Sequence, residues 1–394
     1  MTEKILFTSE SVAEGHPDKL CDQISDAILD ACLKVDDNAR VAAECFATKK
    51  MIFIAGEITL DPSKGKAPNY RAIARGVLRK IGYTRPELGI SADDCHIKVS
   101  IDAQSPDIAQ GVNRGKQEDM GAGDQGIMFG YATNENEGYM PLAAVIAHKL
   151  VRIATKLRKE GSFRWARPDM KSQVTIDYTD PKNIRVDTVL MSIQHDPDAD
   201  MASFKKYIEN VIMKPVVESF GLNLDFKVLI NPTGRFVIGG PEGDTGLTGR
   251  KIIVDTYGGA ARHGGGSFSG KDPSKVDRSA AYMARYIAKN MVAAGAADRL
   301  EIQLGYAIGV AQPLSLSVST FGTAHYSDEI ILEVIHEVFD CRPGVIIKNF
   351  SLTKPSFKYE DLACYGHFGR PDLDLPWEKL DKVEQIRQLL AKNR

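Results

Sequence analysis

Residues 17–35, with the sequence PDKLCDQISDAILDACLKV, carry apolar side chains at the spacing of an amphipathic helix. Pro17 suits the first helical position, where a backbone N–H is not needed for a helical hydrogen bond. Two β-rich runs follow at 41–47 and 51–60, and helical spacing returns over 69–82. The sequence therefore predicts a helix, a hairpin and a second helix in this part of the chain.

The same order of elements recurs twice further along, and the first helix of each unit is predicted to begin at a proline. The second unit has a helix from about Pro141, strand-like runs at 172–178 and 184–194, and a helix over 201–219. The third has a helix over 273–294, strands at 299–310 and 313–321, and a helix over 327–340. We interpret the units as three similar α+β domains, each with helices on one face of a mostly antiparallel sheet. An accidental match of unrelated elements is the alternative.

A long segment without apolar periodicity separates the first two units, between residues 102 and 125. Loops of this length inside a compact chain are usually lids or disordered linkers, and the charged loops described below favour a lid. The predicted domains are residues 4–102, 121–238 and 239–394, with a mobile active-site loop at 103–120.

The composition limits the classes of protein to which this chain can belong. Its 394 residues include 50 Lys and Arg against 52 Asp and Glu, a net charge of −2 that argues against general binding to nucleic acids or membranes. The six cysteines show no C-x-x-C spacing, as expected of reduced, mostly buried thiols. No apolar run approaches membrane-spanning length. We therefore predict a soluble cytoplasmic protein whose basic clusters are local sites.

A glycine-rich segment at 264–278, GGGSFSGKDPSKVDR, is the strongest candidate for a binding site. An apolar run at 252–254 predicts a strand before it, and helical spacing follows it. Asp272 is predicted as the helix N-cap and Pro273 as the first helical residue. Glycine N–H groups and a helix N-terminus together favour bound phosphate.

The charged side chains of this segment point to the same ligand. Lys271 and Lys275 would flank the positive end of the helix, and Asp277 adds an acid that suits a bridging metal ion. The pattern also matches a Walker A loop up to Lys271, but Asp272 stands where that loop needs Ser or Thr to hold magnesium. We therefore predict a polyphosphate site, with a P-loop ATPase or kinase, or a simple helix-capping loop, as alternatives.

Charged or glycine-rich loops recur elsewhere in the chain. Their candidate side chains are His16, Asp18 and Lys19 at the first helix; Asp124 in GAGDQG at 121–126; Asp169 and Lys171; Arg235 and Phe236; and Asp244, Arg250 and Lys251. Glu44 and Glu57 lie within the first β-rich runs, where burial would require a cation or a metal partner. Helix capping, solvated strand ends and a core position for Phe236 are the alternatives.

Three motifs resemble those of S-adenosylmethionine synthetases: GHPDK at 15–19, GAGDQG at 121–126 and GGGSFSGKD at 264–272. The resemblance extends over nearly the whole chain, from FTSE at 7–10 to YGHFGR at 365–370. It implies three similar α+β domains around a pseudo-threefold axis. It also implies active sites between two subunits, in a homodimer or in a homotetramer built as a dimer of dimers.

The resemblance implies transfer of the adenosyl group of ATP to the sulfur of L-methionine. Hydrolysis of the bound tripolyphosphate to pyrophosphate and phosphate would follow. A neutral thioether needs no general base, so the protein must align the sulfur with C5′ and stabilise a highly charged leaving group. Charged loops suit that task.

The resemblance also implies roles for individual residues. The catalytic residues would be His16, Lys171, Arg250, Lys271 and Lys275. ATP would be bound by His16, Asp169, Lys171, Arg235, Phe236, Asp244, Arg250, Lys251, Ser267 and Lys271, with Phe236 stacked on adenine. Methionine would contact Glu57, Gln104, Asp124, Asp244 and Lys275. Two Mg²⁺ ions per site would be held by Asp18 and Asp277, and one K⁺ per subunit by Glu44.

Three further points follow from the resemblance. Ser267 stands where relatives often have alanine, and its hydroxyl adds a possible hydrogen bond to the nucleotide. Residues 104–115 match the family's mobile loop over the active site. A silent family member that only binds nucleotide or a partner chain is the remaining alternative. The intact charged set argues against it: His16, Asp18, Lys271, Lys275 and Asp277.

Overall fold

The computed structural model describes residues 4–104 and 117–392. Its helices in chain order are α1 (Pro17–Val35), α2 (Tyr70–Ile81), α3 (Leu142–Lys159), α4 (Met201–Tyr207), α5 (Lys214–Glu218), α6 (Ile252–Asp255), α7 (Val276–Ala293), α8 (Asp328–Val338), α9 (Pro343–Asn349), α10 (Tyr359–Leu362) and α11 (Val383–Lys392). Its strands are β1 (Leu6–Val12), β2 (Arg40–Thr48), β3 (Met51–Thr59), β4 (His96–Asp102), β5 (Gly126–Thr133), β6 (Ala166–Asp177), β7 (Arg185–His195), β8 (Lys227–Ile230), β9 (Gly246–Leu247), β10 (Arg299–Tyr306) and β11 (Ser315–Ser319).

The described strands form three sheets, with the orders β4-β3-β2-β9, β1-β6-β7-β8 and β11-β10-β5. Neighbouring strands are antiparallel except in the pairs β3–β4 and β7–β8. Each sheet includes one strand from outside its own unit: β9 in the first, β1 in the second and β5 in the third. The α+β prediction is confirmed. Because the units exchange strands, the boundaries at 4–102, 121–238 and 239–394 stay a prediction.

A long helix lies on each sheet. Helix α1 packs on β2, α3 packs on β1 and β6, and α7 packs on β5 and β10. The first and third sheets share one apolar core, to which α1 and α7 both contribute. The second sheet and α3 form a separate core. This arrangement packs the N-terminal half of α1 against loops from the third unit.

Most predicted helices and strands lie within a few residues of their predicted bounds, but residues 252–254 are a correction. They form α6 rather than a strand. The helical turn buries Val254 and Asp255, while Ile253 stays 39% exposed. Three β-branched residues favour a strand, but the position of Asp255 inside the protein decides the local structure.

The prolines are a second correction, because among the three helices predicted to open the units only α1 begins with a proline at its first position. Pro141 is the residue before α3, and Pro273 lies outside α7, which begins at Val276 with Lys275 as its N-cap residue. The predicted helix over 201–219 contains a π-helical turn, Ile208–Met213. Pro215 follows that turn, and its missing N–H interrupts the α-helical hydrogen bonds there.

The predicted loop at 103–120 falls mostly outside the described residues, and so does the mobile segment at 104–115 apart from Gln104. Its function as a lid stays a prediction. In the described parts of the chain, no helix combines the length and the apolar character needed to cross a bilayer.

Candidate active site

His16 stands at the N-cap position of α1, with its ring almost completely buried. Its Nδ1 accepts a hydrogen bond of 3.2 Å from the backbone N–H of Asp18. Burial, together with the positive charge of Lys251, lowers the pKa of His16 to about 3. The ring is therefore neutral at physiological pH, and because Nδ1 is an acceptor, its hydrogen lies on Nε2.

Asp18, in the first turn of α1, pairs with the end of β9 and with the loop that follows it. Its Oδ1 accepts the Leu247 N–H at 3.0 Å, and its Oδ2 lies 2.6 Å from the Nζ of Lys251. Burial favours the neutral acid, but these hydrogen bonds outweigh that effect and lower the pKa of Asp18. Arg250 is more exposed and approaches the same carboxylate to 3.9 Å. The structure thus joins an ionised carboxylate to two cations at the start of a helix.

The loop before α1 packs directly on β6. An added Cβ at Gly15 would overlap the Pro168 backbone, so only glycine fits there. Beside it, Asp169 is buried and its Oδ2 accepts the Gly240 N–H at 2.8 Å, whereas Oδ1 has no partner among the described residues. Burial raises the pKa of Asp169 to about 6. The exposed Lys171 lies close enough for its charge to help lower the pKa of His16.

The glycine-rich segment provides two further acid–lysine pairs. Lys271 Nζ lies 2.6 Å from Asp277 Oδ2, and Lys275 Nζ lies 2.6 Å from Asp272 Oδ2. An added Cβ at Gly266 would overlap the Asp277 carboxylate, so this glycine lets the loop backbone approach the acid closely. The segment is not a Walker A loop, because α6 precedes it where a strand is required, and α7 begins five residues after Lys271.

Asp272 does not cap α7 as the sequence predicted. It is fully buried, and its carboxylate accepts N–H groups of Val41 at 2.7 Å and Ser274 at 2.9 Å. These bonds fix the segment to the edge of β2. There, a backbone bridge joins Lys271 to Ala42, and Ala42 is also paired with Glu57 of β3. Glu57 therefore lies on the same sheet face as Lys271.

Ser267 brings the two halves of this site together. A Cβ added to Gly249 would lie only 2.6 Å from the Ser267 Cβ, so the glycine-rich segment touches the loop that carries Arg250 and Lys251. The pairs Asp18–Lys251 and Asp277–Lys271 therefore belong to one site. Two carboxylates and several cations beside glycine backbone suit a polyanion with bound metal ions.

Comparison with known proteins places the chain in a family. Models of the N-terminal, central and C-terminal domains of S-adenosylmethionine synthetase match residues 4–106, 119–236 and 238–379. This chain belongs to the S-adenosylmethionine synthetase family. The resemblance inferred from the three motifs is confirmed.

Relatives match over nearly their full length. A protein named S-adenosylmethionine synthase from Mycoplasma mycoides subsp. mycoides SC is 60% identical over 386 residues, 98% of this chain and 97% of its own. One from Mesoplasma florum is 60% identical over 383 residues, 97% of this chain and 99% of its own. One from Clostridium tetani is 55% identical over 395 residues, 98% of this chain and 99% of its own.

The other residues expected from the synthetase family are mostly exposed. Glu44 and Glu57 are exposed on the open face of the first sheet, not buried within it. The Asp124 and Asp244 carboxylates accept the N–H groups of Gln125 and Thr245 and are otherwise exposed. Gln104 donates its backbone N–H to Thr59 at 3.0 Å. Arg235 is exposed, and Phe236 is half-buried against Gly239.

The donor chemistry of the site fits the ions expected of a synthetase. In the described residues no three His, Cys, Asp or Glu side chains converge as a metal site. Asp18 and Asp277 instead present single carboxylates, each already holding an ammonium group at 2.6 Å. Magnesium takes few protein ligands and fills its shell with phosphate oxygens and water, so single carboxylates suit it. Glu44 offers potassium one exposed carboxylate.

Sequence reasoning missed acids further along α1. Asp22 and Asp26 are fully buried, and Asp30 lies one turn beyond them. The signal was present, since four aspartates recur at every fourth position from Asp18 in a helix whose remaining inner face is largely apolar.

Proposed function

We propose that this chain is an S-adenosylmethionine synthase, a methionine adenosyltransferase that acts on ATP and L-methionine. It transfers the adenosyl group of ATP to the methionine sulfur and then hydrolyses the tripolyphosphate to pyrophosphate and phosphate. The structural observation that carries the proposal is the meeting of two acid–lysine pairs, Asp18–Lys251 and Asp277–Lys271, across the contact between Ser267 and Gly249. The matched relatives bear the same name over nearly their full length.

The reaction requires that the two substrates be held in position and that the charge on the leaving group be stabilised. A sulfur lone pair attacks C5′ of ATP, the C5′–O bond breaks, and its electron pair stays on the tripolyphosphate oxygen. No proton has to leave the thioether. Holding the two substrates in line contributes roughly 7–11 kcal/mol to such reactions. Charge on the leaving group would be balanced by Lys171, Arg250, Lys251, Lys271 and Lys275.

His16 would act as a neutral hydrogen-bond donor. Its Nδ1 is committed to the Asp18 N–H, which leaves the Nε2–H to face the oxygen that leaves C5′. A neutral imidazole held by a backbone amide keeps one tautomer, so no reorganisation is needed when charge develops on that oxygen. This role needs no charged histidine.

Asp18 and Asp277 would hold two Mg²⁺ ions per site, which supply positive charge against the triphosphate when bound. Each carboxylate is paired with a lysine at 2.6 Å. If each carboxylate held Mg²⁺ in place of its lysine, Lys251 and Lys271 would be free to donate to phosphate oxygens. One K⁺ per subunit would be held through Glu44.

The remaining residues would divide between the two substrates. Asp169, Arg235, Phe236, Asp244 and Ser267 would complete the nucleotide site. Glu57, Gln104, Asp124, Asp244 and Lys275 would bind methionine, whose ammonium group suits exposed carboxylates. Residues 104–115 would form the lid.

The open face of the first sheet supports self-association. Phe46 and Phe53 pair across β2 and β3 with 36% and 37% of their surface exposed, and Glu44 and Glu57 share their face. We propose a homodimer formed on this face, with active sites between subunits, and a dimer of dimers as the larger assembly. All six cysteines are buried and unpaired, which supports a reducing compartment such as the cytoplasm.

One incubation tests the proposed activity. Purified protein is mixed with ATP, methionine, Mg²⁺ and K⁺, and S-adenosylmethionine, phosphate and pyrophosphate are quantified together. We expect equal amounts of all three products and none without methionine. Phosphate and ADP without S-adenosylmethionine would favour an ATPase or kinase instead. Bound nucleotide without turnover would favour the silent binder.

A further inference from the structure

Four aspartates stand one turn apart on α1, at positions 18, 22, 26 and 30. Residues four apart share a helix face, so the four carboxylates form a row along α1. Each accepts backbone N–H groups from a segment more than 200 residues away. Asp18 accepts the N–H of Leu247, Asp22 that of Gly249, and Asp26 that of Gly270. Asp30 accepts the N–H groups of Tyr359 and Glu360. The acceptor row is continuous, but its partners come from three separate segments.

Asp22 holds the loop that carries Arg250 and Lys251. Its Oδ1 accepts the Gly249 N–H at 2.8 Å, and its Oδ2 pairs with the fully buried Lys19 at 2.9 Å. Gly249 has a φ of 78°, a left-handed conformation that favours glycine, and the two cations follow it directly. The Asp22 side chain is completely buried and cannot itself touch a substrate.

Asp26 holds the other cationic loop in the same way. Its Oδ1 accepts the Gly270 N–H at 2.9 Å and an Arg278 N–H at 2.6 Å, and its Oδ2 accepts a second Arg278 N–H at 3.0 Å. Gly270 has a φ of 80°, and Lys271 follows it. Arg278 also donates to the Lys271 carbonyl at 3.3 Å, so the backbone is tied on both sides of the Lys271 side chain.

We propose that Asp22 and Asp26 are positioning residues for adenosyl transfer, because they fix the spacing between the two lysine-bearing loops of the ATP site. A helix rises about 1.5 Å per residue, so the two carboxylates anchor Gly249 and Gly270 about 6 Å apart along α1. The polyphosphate must meet cations from both loops at once. A rigid helix with buried, fully paired acids gives that spacing with little freedom to vary.

This inference rests on the proposed ATP-binding roles of Lys251 and Lys271. The fourth member of the row provides a matched control. Asp30 accepts two backbone N–H groups at 2.9 and 3.0 Å, but they belong to Tyr359 and Glu360, outside both cationic loops. Removing Asp30 also leaves backbone N–H groups without their α1 acceptor, so it tests for a general effect of losing such a bond without changing the spacing of the lysines.

The test compares Asp22→Ala, Asp26→Ala and Asp30→Ala in the full chain below their melting temperatures. Separate kcat and KM values are measured for ATP and for methionine, and inorganic tripolyphosphate is titrated as an inhibitor. Misplacing reacting groups by about 1 Å costs on the order of 100-fold, so we expect the Asp22 and Asp26 variants to lose roughly 10- to 100-fold in kcat/KM for ATP. Tripolyphosphate should also inhibit them more weakly. The KM for methionine should stay unchanged, and Asp30→Ala should retain every constant.

Asp22→Asn separates the hydrogen bond from the charge. Asn and Ala both remove the charge opposite Lys19, which keeps Asp255 as its partner, but Asn retains an oxygen for the Gly249 N–H. We expect Asn to recover part of the activity that Ala loses. If an Ala variant does not melt cooperatively, Asp22→Ser or Asp26→Ser replaces it, because the shorter side chain stays polar but does not reach the loop N–H group.

Wild-type constants for ATP in the Ala or Ser variants of Asp22 and Asp26 would overturn the inference, and so would an equal loss in Asp30→Ala. If the wild-type protein forms no S-adenosylmethionine from ATP and methionine, the proposed function is rejected instead.

Discussion

Helices α1 and α3 occupy equivalent places in the first and second units, yet their buried faces differ in chemistry. Each lies on a sheet with apolar side chains directed into the core. The buried face of α1 also contains six polar or charged residues: Asp18, Lys19, Asp22, Gln23, Ser25 and Asp26. The buried face of α3 contains His148 and Thr155. One helix thus organises loops through hydrogen bonds, and the other mainly packs.

The apolar face of α3 and the partly charged face of α1 serve different functions. An apolar stripe is enough to seat a helix on a sheet. A buried carboxylate opposes folding unless it is paired and hydrogen-bonded, so a row of such groups needs a compensating set of partners. In α1 those partners are the backbones of the two cationic loops. Buried acids within an amphipathic helix therefore mark the helix that builds the site.

The largest effect is expected for Asp18→Asn, at the start of α1. The change removes the negative charge that pairs with Lys251 and that we propose to hold Mg²⁺. We expect kcat to fall on the order of 10²- to 10³-fold, as when a group that stabilises charge in the transition state is lost. More Mg²⁺ should be needed for half-maximal rate. Steady-state rates over a Mg²⁺ titration test this, with Asp30→Asn as the control on the same helix. An unchanged Mg²⁺ dependence would contradict the metal role.

A change in α3 should affect stability without affecting catalysis. Leu150 is fully buried in the core beneath the second sheet. Leu150→Ala leaves a cavity and should lower the free energy of unfolding by about 2–5 kcal/mol. Denaturant unfolding measures this loss, and kcat is measured well below the melting temperature. A loss of kcat as large as that of Asp18→Asn would remove the distinction between the two helices.

The smallest effect concerns a feature that the two helices share, a buried neutral histidine. Burial lowers the pKa of His16 and of His148 to about 3, with Arg370 and Lys19 adding to the effect at His148. In the unfolded chain the value is about 6.5. As the pH falls below about 6.5, the unfolded state therefore binds protons before the folded state does. The contribution of each neutral histidine to the free energy of unfolding, present above about pH 6.5, is lost as the pH falls toward 3. Each histidine should contribute about 2 kcal/mol to the loss between pH 6.5 and 5.

His148→Asn tests this away from the proposed catalytic residues. The free energy of unfolding is measured at pH 7 and pH 5 for both proteins. The variant should lose about 2 kcal/mol less than the wild type over this interval. The same loss in both would mean that His148 does not resist protonation in the folded state.

Local patterns predicted the elements well where periodicity was long. The predicted helix at 17–35 coincides with α1, and the pair of runs at 41–47 and 51–60 became β2 and β3. Short patterns were less reliable. Residues 252–254 form a helical turn because Asp255 reaches Lys19 inside the protein, a partner 236 positions away. Asp272 has the sequence of a helix cap but bonds to β2 instead.

By itself, the sequence determined the α+β units, the family and the charged residue types, because periodicity and short motifs are local properties of the chain. The tertiary structure alone decided which strands are exchanged among the sheets and which acid pairs with which lysine. It also decided that His16 is neutral and that Asp22 and Asp26 hold loops. These outcomes depend on burial and on contacts between residues up to 252 positions apart, which no local pattern records.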